Sequence, residues 1–333
     1  MEAYLAPPYS RLTQVGRTDL ERSIRATMTA GALNHGWIIS GAAGAGKATL
    51  AYRIARAALD PESLTDSSGL AVVANAQSCN LIANRAHPDL FVAERQWNEK
   101  LSKYQSDITV ETVRRLTQFL NHTSAFGVAR VAIVDTADDM NRNAANALLK
   151  VLEEPPRGAL LLLLSAAPGR LLPTIRSRCR TLELRALQKT EITALLEEET
   201  DCSAAEAAFI AEHADGRPGY ALELAAGGGA ECVKLVDRFL AAAASKRGLQ
   251  PVASALSGKA GDDRWTLFQS LLMGRLSRDA RQAAAQGEAR ASAYAAAHDH
   301  LSALVRRGVS LNLDRGQLIS ALAHDYRACL DAS

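Results

Sequence analysis

Short apolar runs separated by longer amphipathic segments dominate the first half of the chain. Buried strands are predicted where such runs occur, at residues 35–40, 131–134, 159–165 and 181–187. Apolar residues at helical spacing predict a helix over 47–59, which ends before Pro61, and another from Asn141 or Asn143 to Leu152, which ends before two prolines. Apolar runs that alternate with helices are typical of a parallel sheet covered on both faces, so an α/β fold is predicted.

After about residue 187 the strand pattern disappears. Short helical segments follow, separated by glycines at 216 and 227–229, and from about residue 230 the chain is rich in Ala, Leu and Arg at helical spacing. We therefore predict three domains: a nucleotide-fold domain over 1–187, a small helical lid over 188–230, and an all-helical C-terminal domain over 231–333.

The stretch "GAAGAGKATL", residues 41–50, nearly matches the phosphate-binding pattern G-x-x-x-x-G-K-[ST]. A strand is predicted before it and a helix after it, as such a loop requires, so its backbone N–H groups would cradle phosphate. The residues predicted to line the loop are Gly41, Gly44, Gly46 and Lys47. Ala48 stands where a hydroxyl would bind Mg²⁺, and Thr49 comes one residue too late, turned by about 100° on a helix.

The predicted strand at 131–134 ends on Asp135, the acidic position that holds Mg²⁺ in hydrolytic P-loop enzymes. Many such enzymes continue with an acid that orients water, but Thr136 follows here. Asp138 and Asp139 are expected to face elsewhere, as a capping or solvated pair. With two parts of the chemistry missing, the sequence predicts a protein that does not hydrolyse ATP; binding without hydrolysis and an empty or plugged loop both stay open.

Composition and charge exclude several classes. The 333 residues are 48% hydrophobic and 22% charged, as in ordinary globular proteins, and the net charge of +2 gives no global basic field for nucleic acid. The apolar run at 158–167 is shorter than the roughly 20 residues that a membrane helix needs. The start of the chain does not resemble a signal peptide, so a cytoplasmic protein without membrane contact is expected. The five cysteines form no C-x-x-C pair and are expected to be free thiols.

Two longer strings, "NALLKVLEEPP" at 146–156 and "TIRSRC" at 174–179, resemble the bacterial clamp-loader family of AAA+ proteins. "HPDLF" at 87–91 and "ITVETVRRL" at 108–116 are similar to the same family, and the likeness extends over roughly residues 10–190. The resemblance implies an AAA+ P-loop NTPase domain with a parallel sheet, then a helical lid and an all-α C-terminal collar that forms the oligomer.

The resemblance also implies a function. The chain would be a non-hydrolysing subunit that joins gamma/tau and delta subunits of DNA polymerase III in a hetero-pentamer, which loads the sliding clamp onto primed DNA. In this family the arginine of the Ser-Arg-Cys motif enters a neighbour's ATP site, and that position falls on Arg178. A fixed guanidinium there stabilises charge on the transferring phosphoryl group. From spacing alone, Arg176, Arg178 and Arg180 would be an ordinary solvated basic run.

Other positions depart from the family. Its members often carry four cysteines as a zinc module after the first helix, but only Cys79 lies in that region, so no zinc is expected and His87 is interpreted as a structural loop residue. Ser165 falls at the position of the first nucleotide sensor. Gly219 stands where ATP-using relatives carry a sensing arginine, and Arg217 comes two residues early. No cofactor is required, although ATP binding without hydrolysis is possible.

Three alternatives compete with this interpretation. An ATP-hydrolysing subunit of gamma/tau type would show magnesium-dependent turnover without a gamma subunit, and Ala48 and Thr136 argue against it. An unrelated P-loop kinase would need an acceptor site and acidic catalytic residues after the loop. A purely structural protein would keep Lys47 as a relic, with the loop empty or plugged.

Overall fold

The computed structural model describes residues 6–65, 69–98, 103–245, 248–257, 261–288, 290–310 and 313–331. Contacts between Cα atoms divide these residues into two compact units. We call residues 6–199 and 211–221 the sheet unit, and residues 200–210 and 222–331 the helical unit. The chain passes from one unit to the other three times, after residues 199, 210 and 221, so neither unit is a single continuous segment.

The sheet unit is built on five parallel strands. They are β1 (Gly36–Ser40), β2 (Leu90–Glu94), β5 (Arg130–Asp135), β6 (Ala159–Ser165) and β7 (Arg180–Glu183), and their order in the sheet is β2-β5-β6-β1-β7. Two-residue strands β3 (Trp97–Asn98) and β4 (Lys103–Tyr104) pair with each other as an antiparallel ribbon. Since parallel strands end at one edge, the carboxyl ends of β1, β5 and β6 lie side by side.

Helices cover both faces of the sheet. Those of this unit are α1 (Thr18–Thr29), α2 (Lys47–Leu59), α3 (Gln77–Ala83), α4 (Val110–Asn121), α5 (Arg142–Glu153), α6 (Pro173–Arg176) and α7 (Lys189–Glu199). Along β5, Val131 and Ile133 face a core shared with α1, α2 and α3, whereas Ala132 and Val134 face a core shared with α4, α5 and α6. Strands buried on both faces explain the continuous apolar runs, and the predicted P-loop α/β fold is confirmed.

The remaining elements are helices: α8 (Ala204–His213), α9 (Pro218–Ala226), α10 (Gly229–Ser245), α11 (Gln250–Ala255), α12 (Gly261–Ala285), α13 (Ala291–Ser310) and α14 (Arg315–Asp331). In the helical unit α13 packs against both α12 and α14. Phe239 and Phe268 are fully buried with their ring centroids 5.6 Å apart, edge to face. The division of this region into a lid and a collar stays a prediction.

No helix in the described ranges combines the length and the apolar character needed to cross a membrane.

Several elements differ from the pattern-based expectation, two of them in the main sheet. The strand predicted at 181–187 is shorter: the last hydrogen bond to β1 runs from Leu184 N to Ser40 O (2.7 Å), and Leu187 N then bonds to Gly216 O (2.9 Å). Strand β2 was not predicted from the pattern. It is an edge strand whose residues 90–93 are all apolar, but only Ala93 is fully buried, and so short an apolar run does not by itself distinguish a strand from a helix.

Candidate functional site

The glycine-rich loop joins the end of β1 to the start of α2, as predicted. Gly44 and Gly46 have φ angles of 78° and 91°, which side-chain-bearing residues rarely adopt. A Cβ atom on Gly44 would lie 2.9 Å from the backbone nitrogen of Tyr220, and one on Gly46 would lie 2.7 Å from Gln14 Nε2. The backbone conformation therefore requires glycine at both positions, and at Gly44 the backbone of Tyr220 also leaves no room for a side chain.

The lysine of the loop is bound by the loop itself. Lys47 Nζ donates hydrogen bonds to the carbonyl oxygens of Gly41 (2.7 Å) and Ala42 (2.9 Å). Burial lowers the pKa of Lys47, while the carboxylates of Asp135 and Asp138 oppose this shift. The ammonium group thus satisfies two backbone acceptors of its own loop.

Other parts of the sheet unit also bind the loop. Gln14 Nε2 donates to the carbonyl oxygen of Gly46 (3.0 Å), and the backbone N–H of Gly219 donates to the carbonyl oxygen of Gly44 (2.8 Å). The loop is therefore held by the N-terminal segment on one side and by the start of α9 on the other. Pattern analysis missed Gln14 because it lies in a segment without periodicity.

Asp135 lies at the carboxyl end of β5, beside the loop. Burial raises its pKa, against a hydrogen bond that Thr136 Oγ1 donates to Asp135 Oδ1 (3.2 Å) and against the charge of Lys47. Thr136 therefore binds the neighbouring carboxylate, and its hydroxyl supplies no base for water.

The expectation that Asp138 and Asp139 both face elsewhere is wrong for Asp138. Ser165 Oγ donates to Asp138 Oδ1 (2.7 Å), and the N–H of Ala166 donates to Asp138 Oδ2 (2.6 Å). Asp138 is brought to the ends of β5 and β6 by a short 3₁₀ turn, Ala137–Asp139. Asp139 instead forms an ion pair with Arg95 (3.1 Å). The predicted sensor position Ser165 is thus fully buried with its hydroxyl already used.

Arg178 lies outside the loop region, between α6 and β7. Its Nη1 atom donates to the carbonyl oxygen of Thr174 (3.0 Å), and its Nη2 atom forms an ion pair with Glu153 Oε1 (2.9 Å). The side chain is 35% exposed. Arg180 differs, because its guanidinium lies over the ring of Trp37 at 5.2 Å from the centroid. The three arginines are not one uniform solvated run.

Arg217 is engaged close to its own position. Its Nε atom donates to the carbonyl oxygen of Ala214 (3.2 Å), and its guanidinium carbon lies 4.1 Å from the centroid of the Tyr220 ring. It is Gly219 that contacts the loop, through its backbone. The idea that nucleotide sensing is lost here stays a prediction.

The described residues contain no group of three or more His, Cys, Asp or Glu side chains able to hold a metal ion. The buried His87 accepts a hydrogen bond from the N–H of Asp89 at Nδ1 (3.1 Å), and its ring contacts Phe126. These contacts fit the structural role predicted for this histidine.

A family model described as "DNA polymerase III, delta subunit" matches residues 16–188, which include the loop, β5, β6 and Arg178. The chain belongs to this family. The resemblance to clamp-loader subunits of DNA polymerase III that was inferred from short motifs is therefore confirmed.

Curated relatives agree with this membership. The delta′ subunit of DNA polymerase III from Pseudomonas aeruginosa is 41% identical over 145 residues, 44% of this chain and 41% of that protein. The delta′ subunit from Escherichia coli is 29% identical over 262 residues, 79% of this chain and 75% of that protein. The tau subunit from Escherichia coli is 30% identical over 183 residues, 55% of this chain and 26% of that protein. The matched region thus spans less than half of the Pseudomonas relative.

The solved structures that match this chain are more distant in sequence. A DNA polymerase III gamma subunit-related protein from Thermotoga maritima has a TM-score of 0.40 and 16% identity, over 94% of this chain and 99% of that one. A RuvB mutant from the same organism has a TM-score of 0.42 and 15% identity, over 94% and 87% of the two chains. The fold of this chain is therefore assigned from its own strand order and its own glycine-rich loop.

Proposed function

We propose that this chain is the delta-prime subunit of a bacterial DNA polymerase III clamp loader. It would assemble with gamma/tau and delta subunits in a hetero-pentamer that opens the sliding clamp and loads it onto primed DNA in the cytoplasm. Membership of the delta subunit family and the similarity to two proteins named delta′ support this assignment.

The proposal includes the absence of hydrolysis by this subunit. The observation that carries it is the pair of residues Ala48 and Thr136, at the two positions where a hydrolytic P-loop enzyme has a metal-binding hydroxyl and a water-orienting acid. Ala48 offers no hydroxyl to Mg²⁺, and Thr136 offers no carboxylate to water. A site without these two groups lacks both the side-chain ligand to Mg²⁺ and the acid that orients the attacking water.

In the proposal the chain instead contributes Arg178 to the ATP site of a neighbouring subunit. A guanidinium is always charged and presents several N–H donors in one plane, which suits the oxygens of a transferring phosphoryl group. The side chain is partly exposed, two residues beyond the end of the short helix α6. An arginine supplied in trans typically accelerates the reaction by about 10³ to 10⁵ at the site it serves.

The test is ATP hydrolysis by complexes reconstituted with gamma, delta, clamp and primed DNA. Arg178→Ala should leave assembly intact and sharply lower turnover, by about 10³ or more at the served site. Arg176→Ala is the matched control, since Arg176 is exposed two residues away on the same segment. Wild-type turnover in an assembled Arg178→Ala complex would remove the arginine from the mechanism.

An ATP-hydrolysing subunit of gamma/tau type is the second candidate, favoured by the similarity to the tau subunit and by the retained loop glycines. The isolated chain distinguishes the two. Titration with labelled ATP and magnesium, followed by a turnover assay, should give no hydrolysis. Brisk magnesium-dependent hydrolysis by the lone chain would favour the second candidate.

A further inference from the structure

Two separate segments hold the guanidinium of Arg178. From the α6 side, the carbonyl oxygen of Thr174 and the hydroxyl of Ser177 accept from Nη1 at 3.0 and 3.4 Å. From the end of α5, Glu153 Oε1 pairs with Nη2 at 2.9 Å. All three contacts are made by the terminal nitrogens Nη1 and Nη2 of Arg178. The Nε atom makes no contact with these three residues. The guanidinium is thus oriented while a donor is left for another acceptor.

The spacing between the two segments is set by the core. Leu152, next to Glu153, and Ile175, next to Thr174, are both buried in the same hydrophobic cluster. Because packed interiors resist displacement, the backbone at Glu153 and the carbonyl of Thr174 stay at a fixed separation. Fixing a free arginine side chain costs about 2 kcal/mol of rotamer entropy. Because Glu153 and Thr174 already restrict the rotamers of Arg178, less entropy is lost when its guanidinium binds phosphate.

Glu153 occupies an unfavourable place for an acid. It is the last residue of α5, where the helix dipole carries partial negative charge. The helix dipole therefore gives no reason for an acidic residue at this position, whereas the ion pair with Arg178 does. Glu154 is the next residue, is exposed, and makes none of the contacts that hold Arg178. Glu154 therefore serves as the matched control: it is an exposed acid beside Glu153 that forms no ion pair with Arg178.

We infer that Glu153 is a positioning residue, which holds the guanidinium of Arg178 oriented toward phosphate bound by a neighbouring subunit. The inference rests on the proposed function of Arg178 and deepens it. The carboxylate touches no substrate; it acts on the geometry of the arginine. It should therefore affect turnover and leave the affinity of the neighbour's site for ATP unchanged.

The experiment uses the reconstituted complex with clamp and primed DNA. Glu153→Gln should lower kcat by about fivefold with an unchanged KM for ATP, since an exposed ion pair contributes only modestly. Glu154→Gln should behave as wild type. In the background of Arg178→Ala, Glu153→Gln should cause no further loss, because there is no guanidinium left to orient. The thermal unfolding midpoint of the single Glu153→Gln variant should not fall below that of the wild type. The substitution removes a negative charge that is unfavourable at the C-terminal end of α5.

The outcomes separate the inference from the proposed function. If Arg178→Ala itself leaves turnover unchanged, the trans arginine fails and the positioning role fails with it. If Arg178→Ala abolishes turnover while Glu153→Gln equals Glu154→Gln, only the positioning role is overturned. Losses that multiply in the double variant, or a Glu153→Gln chain that no longer assembles, would also overturn it, because either result assigns Glu153 an independent structural role.

Discussion

At the scale of single residues, buried charges in the sheet unit are met by specific partners. Arg53 and Glu21 form a two-point ion pair, with 2.6 and 2.7 Å between their atoms. The fully buried carboxylate of Asp89 accepts from the backbone of Ala125 (2.8 Å) and Phe126 (3.0 Å) and from the Ser124 hydroxyl (3.0 Å). Such groups stabilise the fold only while their partners remain, because an unpaired buried charge is expensive.

Asp89 leads to a prediction about pH. Burial alone would raise its pKa, but the hydrogen bonds and the charge of Arg130 outweigh burial and hold the pKa below its usual value. A lowered pKa in the folded state stabilises the protein fully above the unfolded value of about 3.9. This contribution is lost as pH falls through the folded pKa.

Asp89→Asn should therefore lower the free energy of unfolding by about 1–3 kcal/mol at pH 7, and the penalty should shrink below about pH 4. Urea denaturation followed by circular dichroism from pH 7 to pH 3 measures both effects. Asp107→Asn, at an exposed carboxylate, should change little. A penalty that stays constant to pH 3 would contradict the assignment.

At the scale of elements, helix ends are decided by side-chain caps. The sequence left Asn141 and Asn143 as alternative caps of α5, and the structure selects Asn141, whose Oδ1 accepts from the N–H of Ala144 (2.9 Å). Asn143 lies exposed in the first turn. Because α5 ends at Glu153, the stability of this helix bears directly on the acceptor of Arg178.

Asn141→Ala should lower the free energy of unfolding by about 1 kcal/mol, because an N-terminal N–H loses its acceptor. Asn143→Ala removes an equal side chain without a cap and should be neutral or slightly stabilising, since alanine favours helix. Equilibrium urea unfolding of the two variants provides the comparison. Equal losses in both would mean that the cap at Asn141 is not the source.

At the scale of the whole molecule, the described residues form two compact units, each with buried residues of its own. Phe268 is fully buried in the helical unit, between Phe239 and Trp265. Units with separate cores open with separate free energies. A core defect in one unit should therefore be detected locally.

Phe268→Ala should destabilise the helical unit by about 3–5 kcal/mol. Hydrogen exchange measured by mass spectrometry should show faster exchange in α12 and α10, with β5 and β6 unchanged. Phe126→Ala removes an equally large but half-exposed ring and should leave α12 as it is. Equal acceleration in both units would show that they unfold as one.

The sequence by itself determined the local elements that are strongly patterned. Helix α2 and strand β6 have the predicted bounds. The reason is that apolar residues at helical spacing and a continuous apolar run are both patterns of residues close together in the sequence. Short sequence motifs likewise sufficed to find the loop glycines, the missing hydroxyl at Ala48 and the resemblance to the family. Edge strand β2 was not predicted, since its apolar run of four residues is too short to distinguish a strand from a helix.

Only the tertiary structure decided which distant groups meet. The contact of Ser165 with Asp138 and of Gly44 with Gly219 joins residues 27 and 175 positions apart. The pairing of Glu153 with Arg178 likewise depends on how α5 and α6 pack in one core. The physical reason is that hydrogen bonds and ion pairs form between atoms a few ångströms apart, and that proximity is created by burying apolar surface across the whole sheet unit.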